Sequence, residues 1–308
     1  MIETTGTIPA EVKRPELFFR RWAPEGEPAP AGMGARDKPR PVLAVCHGFG
    51  EHSGRYAEFA RYFTGSGYRV YALDFRGHGR SGGERAFVRR FTVYEEDLSA
   101  FLEVVWKETA APVVLIGHSM GGVVSLIYAG KRGKGEERLG GLVLSGPALR
   151  LAVEAGAVLR ILVKVLGVVV PRIKAAPGVA HLLSRDPAVV AAYKNDPLAY
   201  NGPTKAGMAR CFIRAQEEVT PFLPEIELPL LVIQGSEDRI IDTGSGRIVY
   251  EGVSSRDASL KYYEGLYHEI FNEPEREEVY ADMARWIETR NFTGNRGVNK
   301  RPAGGTGS

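Results

Sequence analysis

Ser119 lies between glycines in the stretch VVLIGHSMGGVVSLIYAG (113–130), a setting that suits a nucleophile. Residues 113–116 form a short apolar run, which predicts a strand buried on both faces. Apolar residues at helical spacing resume after the glycines, at 123–129. A strand that passes directly into a helix through Gly-x-Ser-x-Gly makes a tight turn that lifts the serine oxygen clear of the sheet edge. The pattern therefore predicts that Ser119 is a nucleophile.

A second Gly-x-Ser-x-Gly match occurs at Gly79, Ser81 and Gly83. It has no apolar run before the serine and no apolar helix directly after it. We therefore interpret Ser81 as a loop residue.

A nucleophilic serine needs a base to take its proton and a third group to orient that base. Around such turns the acid and then the histidine follow the serine in the chain. Of the six histidines, only His268 follows a suitable acid-bearing loop. Asp238 lies just past a predicted strand and is favoured as the acid. We expect its neighbours Glu237 and Asp242 to face solvent and to cap a helix, respectively.

Acyl transfer also needs N–H donors for the oxyanion. One candidate is the backbone N–H of Met120, directly after the serine. The other is the N–H of Phe49, which lies between two glycines in the loop after an early strand. We expect the preceding His47 to brace this loop by hydrogen bonding.

The elements that position these residues follow from hydrophobic periodicity. After a probable first strand at 17–22, short apolar runs alternate with helical segments. These runs are at 41–48, 68–74, 113–117, 141–146, 229–235 and 260–265. Such alternation predicts an α/β fold with a mostly parallel sheet and helices on both faces.

One long interruption divides this alternating pattern. We predict a core made of residues 1–147 and 225–290, with a mainly helical cap inserted at 148–224. An insertion at the carboxyl end of a strand lies over the sheet edge where ligands bind. Residues 24–41 are expected to be an exposed loop, and residues 291–308 a disordered tail.

The composition of the chain argues against several classes of function. The net charge of +3 is too small and too evenly spread to indicate nucleic-acid binding. Two distant cysteines form neither a disulfide framework nor a zinc motif, and we expect no metal or cofactor. The N-terminus lacks a secretory signal, and the apolar stretch at 157–170 is too short to span a bilayer. We expect a soluble cytoplasmic protein, with scope for peripheral membrane association.

Five stretches together resemble the monoacylglycerol lipases of the α/β-hydrolase superfamily, in particular the bacterial members. They follow in the family's order, and a sixth stretch in the cap, 184–198, also looks like that family. The five stretches are 47–56, 74–83, 117–122, 235–242 and 263–275.

The resemblance implies hydrolysis of monoacylglycerols to a fatty acid and glycerol without a cofactor. It implies that Ser119, Asp238 and His268 form the triad. It also implies that the N–H groups of Phe49 and Met120 form the oxyanion hole.

The glycerol end of the site is less defined. Glu51 and Arg55 match loop positions that the family associates with the polar end of the substrate. An internal ion pair that holds the loop explains the two residues equally well. Phe271 stands where the animal members carry a further histidine, so recognition of glycerol is expected to differ.

Other functions stay open at this point. A carboxylesterase or lysophospholipase would use the same triad on another ester, and a peptidase fits less well. Dehalogenases and epoxide hydrolases are disfavoured because they place an aspartate where Ser119 stands. A more remote alternative is a non-catalytic relative that binds lipid.

The cap segment 152–170 is too apolar for a solvated face. We hypothesise that it lines an acyl tunnel and makes transient membrane contact, with Arg160 and Lys164 near lipid phosphates. The alternative is a cap helix that only packs on the core.

Overall fold

The computed structural model describes residues 1–26, 40–152 and 156–292 of the 308-residue chain. Its strands form one eight-stranded sheet and one small two-stranded sheet. The strands are β1 Ile2–Ile8, β2 Leu17–Ala23, β3 Val42–Cys46, β4 Val70–Leu73, β5 Val113–His118, β6 Leu139–Ser145, β7 Lys174–Ala176, β8 Thr204–Lys205, β9 Leu230–Gly235 and β10 Ala258–Tyr263.

The large sheet has the strand order β1-β2-β4-β3-β5-β6-β9-β10. Strand β2 runs antiparallel to both β1 and β4, and the other neighbouring strands pair in parallel. The six parallel strands therefore end at one common edge, where the loops that follow them meet. The predicted mostly parallel sheet is confirmed.

Helices cover both faces of this sheet. Alternate residues of β3 point to opposite faces of the sheet. Leu43 and Val45 pack in one layer, with the helices at Ala57–Gly65 and Arg276–Glu288. Val42, Ala44 and Cys46 pack in the other, with the helices at Thr92–Glu108 and Met120–Arg132. A strand with both faces buried is apolar throughout, which explains its continuous run. The helices are α1 Ala57–Gly65, α2 Thr92–Glu108, α3 Met120–Arg132, α4 Ala157–Val169, α5 Pro187–Asn195, α6 Ala206–Val219, α7 Gly244–Gly252 and α8 Arg276–Glu288.

The sheet starts earlier than the sequence indicated. Strand β1 precedes the predicted first strand and pairs with it at the sheet edge. Its sequence, IETTGTI, is mostly exposed and has no apolar alternation. An edge strand without a buried face therefore gives no periodic signal.

Some predicted boundaries change or fall outside the described residues. Helix α8 begins at Arg276, just after Pro274. Most of the predicted loop, residues 27–39, and most of the predicted tail, residues 293–308, lie outside the described residues.

The insertion between β6 and β9 contains α4, β7, α5, β8 and α6. Helix α4 packs on α6 with a close approach at Gly167, where a Cβ would lie 2.6 Å from the Cβ of Arg210. In the part of the chain that the structure describes, every helix is too short or too polar to cross a membrane. The cap bounds of 148–224 stay a prediction.

A buried ion pair fixes the loop after β4. Arg76 binds both carboxylate oxygens of Asp97 on α2, at 2.6 to 3.0 Å, and its backbone N–H donates to the same carboxylate. In the same loop, the N–H of Phe75 donates to His47 at the end of β3. The ion pair thus supports the loop that carries Phe49.

Replacement of Asp97 by alanine is expected to destabilise the protein by about 3 to 5 kcal/mol, because it leaves the buried Arg76 without its partner. Urea denaturation measures this change in the free energy of unfolding. Glu96→Ala is the matched control. Glu96 is half exposed and lies 3.8 Å from the same guanidinium, so its removal costs less than about 1 kcal/mol. Equal losses in the two variants would contradict the assignment.

Candidate active site

Ser119 occupies the strained turn between β5 and α3. Its φ is 52° and its ψ is −114°, a conformation that side-chain-bearing residues rarely adopt. The Ser119 N–H donates to the Ser145 carbonyl at 2.9 Å, and its own carbonyl accepts from Gly122 and Ala148. Contacts from both β6 and α3 therefore hold the turn.

The neighbouring glycines are needed because other backbone lies too close for a Cβ. At Gly121 a Cβ would lie 2.1 Å from the Cys46 carbonyl oxygen. At Gly117 it would lie 2.7 Å from the Gly121 oxygen. Because these two residues are glycines, β3 and α3 can approach the serine closely.

His268 and Asp238 form a buried hydrogen-bonded pair. His268 Nδ1 lies 2.8 Å from Asp238 Oδ2. The other carboxylate oxygen accepts the N–H groups of Ile240 and Ile241, at 3.0 and 2.9 Å. Gln234 donates to Oδ2 as well, at 3.3 Å. The carboxylate is thus held in one orientation towards the imidazole.

This pair also changes the titration of both groups. Burial alone would lower the pKa of His268, but the adjacent Asp238 carboxylate raises it above its ordinary value. Burial alone would raise the pKa of Asp238, but His268 and the two backbone donors hold it below its ordinary value. Asp238 is therefore ionised at neutral pH and stabilises the imidazolium form of His268.

Two contacts bring the pair next to Ser119. The rings of His268 and His118, the residue before the serine, have centroids 4.7 Å apart. Gly146, just after β6, lies so close that a Cβ there would be 3.3 Å from both Asp238 Oδ2 and His268 Cε1. The pair of His268 and Asp238 therefore lies beside the residue that precedes Ser119, at the carboxyl edge of the sheet, and the triad with Ser119 stays a prediction.

The loop after β3 lies against the nucleophile. A Cβ at Gly48 would be 3.1 Å from the Ser119 Cβ. His47 braces this loop as predicted, with Nδ1 2.7 Å from the Gly48 carbonyl and Nε2 accepting the Phe75 N–H at 3.0 Å. Burial lowers the pKa of His47 to about 3, so it is neutral.

The two predicted oxyanion donors belong to the two segments that adjoin at Ser119, the start of α3 and the loop after β3. Met120 is the first residue of α3, and Phe49 follows Gly48. Neither N–H donates to an acceptor among the described residues. The assignment of these two amides as oxyanion donors stays a prediction.

Glu51 and Arg55 take part in an internal ion network. Arg55 binds Glu269 through two hydrogen bonds, at 2.5 and 2.8 Å, and Glu51 through one, at 3.2 Å. Glu51 also accepts the Gly48 N–H at 2.5 Å and the Tyr56 hydroxyl at 3.1 Å. The network therefore ties the residue after His268 to the loop that carries Phe49.

Sequence reasoning did not find Glu269 or the cap residue Tyr193. The Arg55 guanidinium lies 4.8 Å from the Tyr193 ring centre, and the Tyr193 hydroxyl donates to the Gly50 carbonyl at 3.2 Å. The only signal for Glu269 is its position beside His268.

The rejected candidates have other roles. The Ser81 hydroxyl accepts the Phe18 N–H at 2.8 Å in a loop, and Glu237 is half exposed. Asp242 accepts the Gly244 N–H just before α7, close to the predicted capping role. Among the described residues, no group of three or more His, Cys, Asp or Glu side chains is arranged to hold a metal ion.

The buried carboxylates of Glu51 and Glu269 share the Arg55 guanidinium, and their pKa values shift in opposite directions. Glu269, with two bonds to Arg55, has its pKa lowered although burial opposes this. For Glu51, burial together with Glu269 raises the pKa to about 7 against the opposing pull of Arg55. Glu51 therefore takes up a proton near neutral pH.

Folding raises the pKa of this acid, so the folded state binds its proton more tightly than the unfolded state does. The free energy of unfolding therefore falls as the pH rises from the ordinary pKa to the raised one. We therefore expect Glu51→Gln to gain about 2 to 3 kcal/mol relative to the wild type between pH 5 and pH 8. Urea denaturation at both pH values measures this. Glu269→Gln is the control and should lose stability at both, because it removes the ionised partner of Arg55. A Glu51→Gln difference that does not change with pH would contradict the raised pKa.

The comparisons with known proteins agree with this geometry. A family model described as "Serine aminopeptidase, S33" matches residues 37–275. The chain is 42% identical to a monoacylglycerol lipase of Mycolicibacterium smegmatis, over 88% of this chain and 92% of the relative. It is 35% identical to the human monoglyceride lipase, over 90% of this chain and 88% of the relative.

A solved structure shows the same fold. The crystal structure of the Paleococcus ferrophilus monoacylglycerol lipase superposes with a TM-score of 0.73 and 28% identity, over 89% of this chain and 98% of that one. The fold predicted from the sequence and the resemblance carried by its five motifs are both confirmed. The chain belongs to the monoacylglycerol lipase family of α/β-hydrolases.

Proposed function

We propose that the chain is a serine hydrolase that cleaves monoacylglycerols to a free fatty acid and glycerol. The proposal rests above all on the hydrogen bond between His268 and Asp238, 2.8 Å long, next to the strained Ser119 turn. The family relatives named monoacylglycerol lipase support the choice of substrate.

In the proposed mechanism, His268 takes the proton of the Ser119 hydroxyl as the oxygen attacks the ester carbonyl. Asp238 holds Nδ1–H, so that Nε2 is the basic nitrogen. The imidazolium then gives its proton to the glycerol oxygen, which leaves. Water attacks the acyl-enzyme with the same base and releases the fatty acid.

The N–H groups of Phe49 and Met120 bind the oxyanion of both tetrahedral intermediates in this proposal. Each donor contributes about 3 kcal/mol to the lowering of the barrier. The approach of Gly48 to within 3.1 Å of the Ser119 Cβ supports this placement of the first donor.

For Glu51 and Arg55, we propose the role of an internal brace. Their contacts with Gly48 and Glu269 satisfy both carboxylates and the guanidinium within the protein. A group whose hydrogen bonds are already made has little left for glycerol. The brace supports the loop that presents the Phe49 N–H.

The acyl chain needs an apolar path from Ser119, and one cavity suits it. It has a volume of about 510 Å³ and begins at Leu149, next to the Ala148 N–H that donates to the Ser119 carbonyl. The apolar lining comes from Leu149, Leu151, Ile213 and Ile248. Arg160 is the described α4 side chain in its lining, beside Arg150, Gln216 and Glu217, and the tunnel-lining role of α4 stays a prediction.

We further propose a cytoplasmic enzyme whose cap contacts a membrane transiently through α4. The helix exposes a row of apolar side chains, which an aqueous face would not favour. The exposed fractions are 63% for Ile161, 49% for Leu162, 52% for Val165, 63% for Val168 and 72% for Val169.

Replacement of Ser119 by alanine is expected to lower the release of oleate from 1-monooleoylglycerol by at least about 10³-fold, because no nucleophile remains. The same assay with dioleoylglycerol, lysophosphatidylcholine and a short p-nitrophenyl ester measures substrate preference. Ser81→Ala is the matched control and should keep its activity.

The substrate panel separates the alternatives. Cleavage that depends on Ser119 but spares the monoacylglycerol would replace the proposed substrate with another ester. A folded protein that cleaves none of the esters and does not react with a fluorophosphonate would favour a lipid-binding relative.

The pH profile tests the proposed base. Because His268 must be neutral to accept a proton and its pKa is raised, kcat/KM should rise with pH through a midpoint above the ordinary histidine value. Asp238→Asn removes the charge that raises this pKa, so the midpoint should move to lower pH. The plateau should also fall by about 10⁴-fold. In Glu237→Gln, the exposed neighbour, neither quantity should change.

A further inference from the structure

A cluster of arginines surrounds a small cavity on the flank of the cap. The cavity has a volume of about 170 Å³ and lies between the segment before α2 and one face of α6. Its lining residues are Arg89, Arg90, Phe91, Thr92, Arg210, Cys211, Arg214 and Glu218. The site thus joins the core loop after β4 to the inserted domain.

The charge of this cavity is strongly unbalanced. Four guanidinium groups face one carboxylate, Glu218, which lies 3.6 Å from Arg214. Within the described ranges, Arg89, Arg90 and Arg210 form no ion pair. Guanidinium groups bind phosphate through paired hydrogen bonds, so a phosphate-bearing group is the complementary partner.

The arginine cavity adjoins the exposed apolar face of α4. A groove of about 560 Å³ between α4 and α6 is lined by Ile161, Val165, Val168 and Val169, and it shares Arg210 and Arg214 with the arginine cavity. Gly167 allows this contact, because a Cβ there would lie 2.6 Å from the Cβ of Arg210. Apolar and cationic surfaces are therefore continuous across α6.

The basic pair that we expected at lipid phosphates shares a single carboxylate, so its positive charge is only partly offset. Lys164 lies 2.7 Å and Arg160 3.4 Å from the carboxylate of Glu217. At the arginine cavity, in contrast, Arg210 of the cap and the core residues Arg89 and Arg90 form no ion pair with a described residue.

We propose that Arg89, Arg90, Arg210 and Arg214 form a binding site for the phosphate of an anionic phospholipid headgroup. The apolar side chains of α4 then enter the acyl region of the same leaflet. The adjoining apolar groove favours a lipid over a free phosphate, because a soluble anion has no apolar part to bind there. The proposal extends the membrane contact of the cap and does not depend on which ester is cleaved.

The test is vesicle co-sedimentation of the Ser119→Ala protein, which leaves the lipid intact. Vesicles of dioleoylphosphatidylcholine alone are compared with vesicles that contain dioleoylphosphatidylglycerol. We expect preferential binding to the anionic vesicles. Adding Arg89→Gln and Arg90→Gln should weaken that binding by roughly five-fold for each arginine, about 25-fold in all.

The matched control is Arg247→Gln with Arg256→Gln, two exposed arginines of the core that carry the same charge change. We expect this pair to bind anionic vesicles like the parent. Equal weakening in the two pairs would indicate a net-charge effect and overturn the site.

Two further arms distinguish the headgroup site from a diffuse charge effect and from a site for a soluble anion. Arg89→Lys with Arg90→Lys keeps the charge but loses the paired hydrogen bonds, so it should also weaken binding. Unchanged binding in this variant would indicate a diffuse charge effect and overturn the headgroup site. Calorimetry with glycerol 3-phosphate tests a soluble ligand. Tight binding of that anion without any preference for anionic vesicles would overturn the membrane assignment.

Discussion

The strained backbone of Ser119 is the constraint on which the rest of the site depends. A residue with a side chain at φ 52° persists only when surrounding contacts hold it. Those contacts come from Ser145 at the end of β6 and from the first turn of α3. They require backbone approaches that only glycine permits, above all at Gly121 against Cys46. The conformation of Ser119 thus depends on how closely β3, β6 and α3 pack.

The loops around the nucleophile are held by internal polar contacts, each of which links two loops. His47 joins the loop after β3 to the loop after β4 through the Phe75 N–H. Arg55 joins the same region to Glu269, the neighbour of His268. Because these partners are buried, their hydrogen bonds act in a low-dielectric setting and fix the positions of the loops. If the proposed mechanism holds, these contacts set the positions of its loops before substrate binds.

The cap contacts the core next to the candidate active site, and its opposite side is exposed. Tyr193 and Tyr200 both bond to the Gly50 carbonyl, so the insertion contacts the loop that carries Phe49. On its outer side, α4 leaves apolar side chains such as Val169 in water, which costs free energy unless another surface covers them. The cap thus combines a fixed inner contact with an exposed apolar outer face.

The sequence by itself determined the α/β class, the order of the strands along the chain and the candidates Ser119, Asp238 and His268. Apolar runs and the glycine pattern involve residues that are close together in the chain, so they can be recognised from the sequence alone. It missed β1, because an exposed edge strand has no periodicity.

Only the tertiary structure decided the ionic partners. The sequence left Arg55 open to either a pair with Glu51 or a contact with substrate. The structure shows that pair and adds a two-bond partner, Glu269, 214 residues away. Glu217 pairs with both Arg160 and Lys164, and Arg89 and Arg210 line one cavity across the boundary of the insertion. Charges interact through space, and the distances that set their energies exist only once the chain has folded.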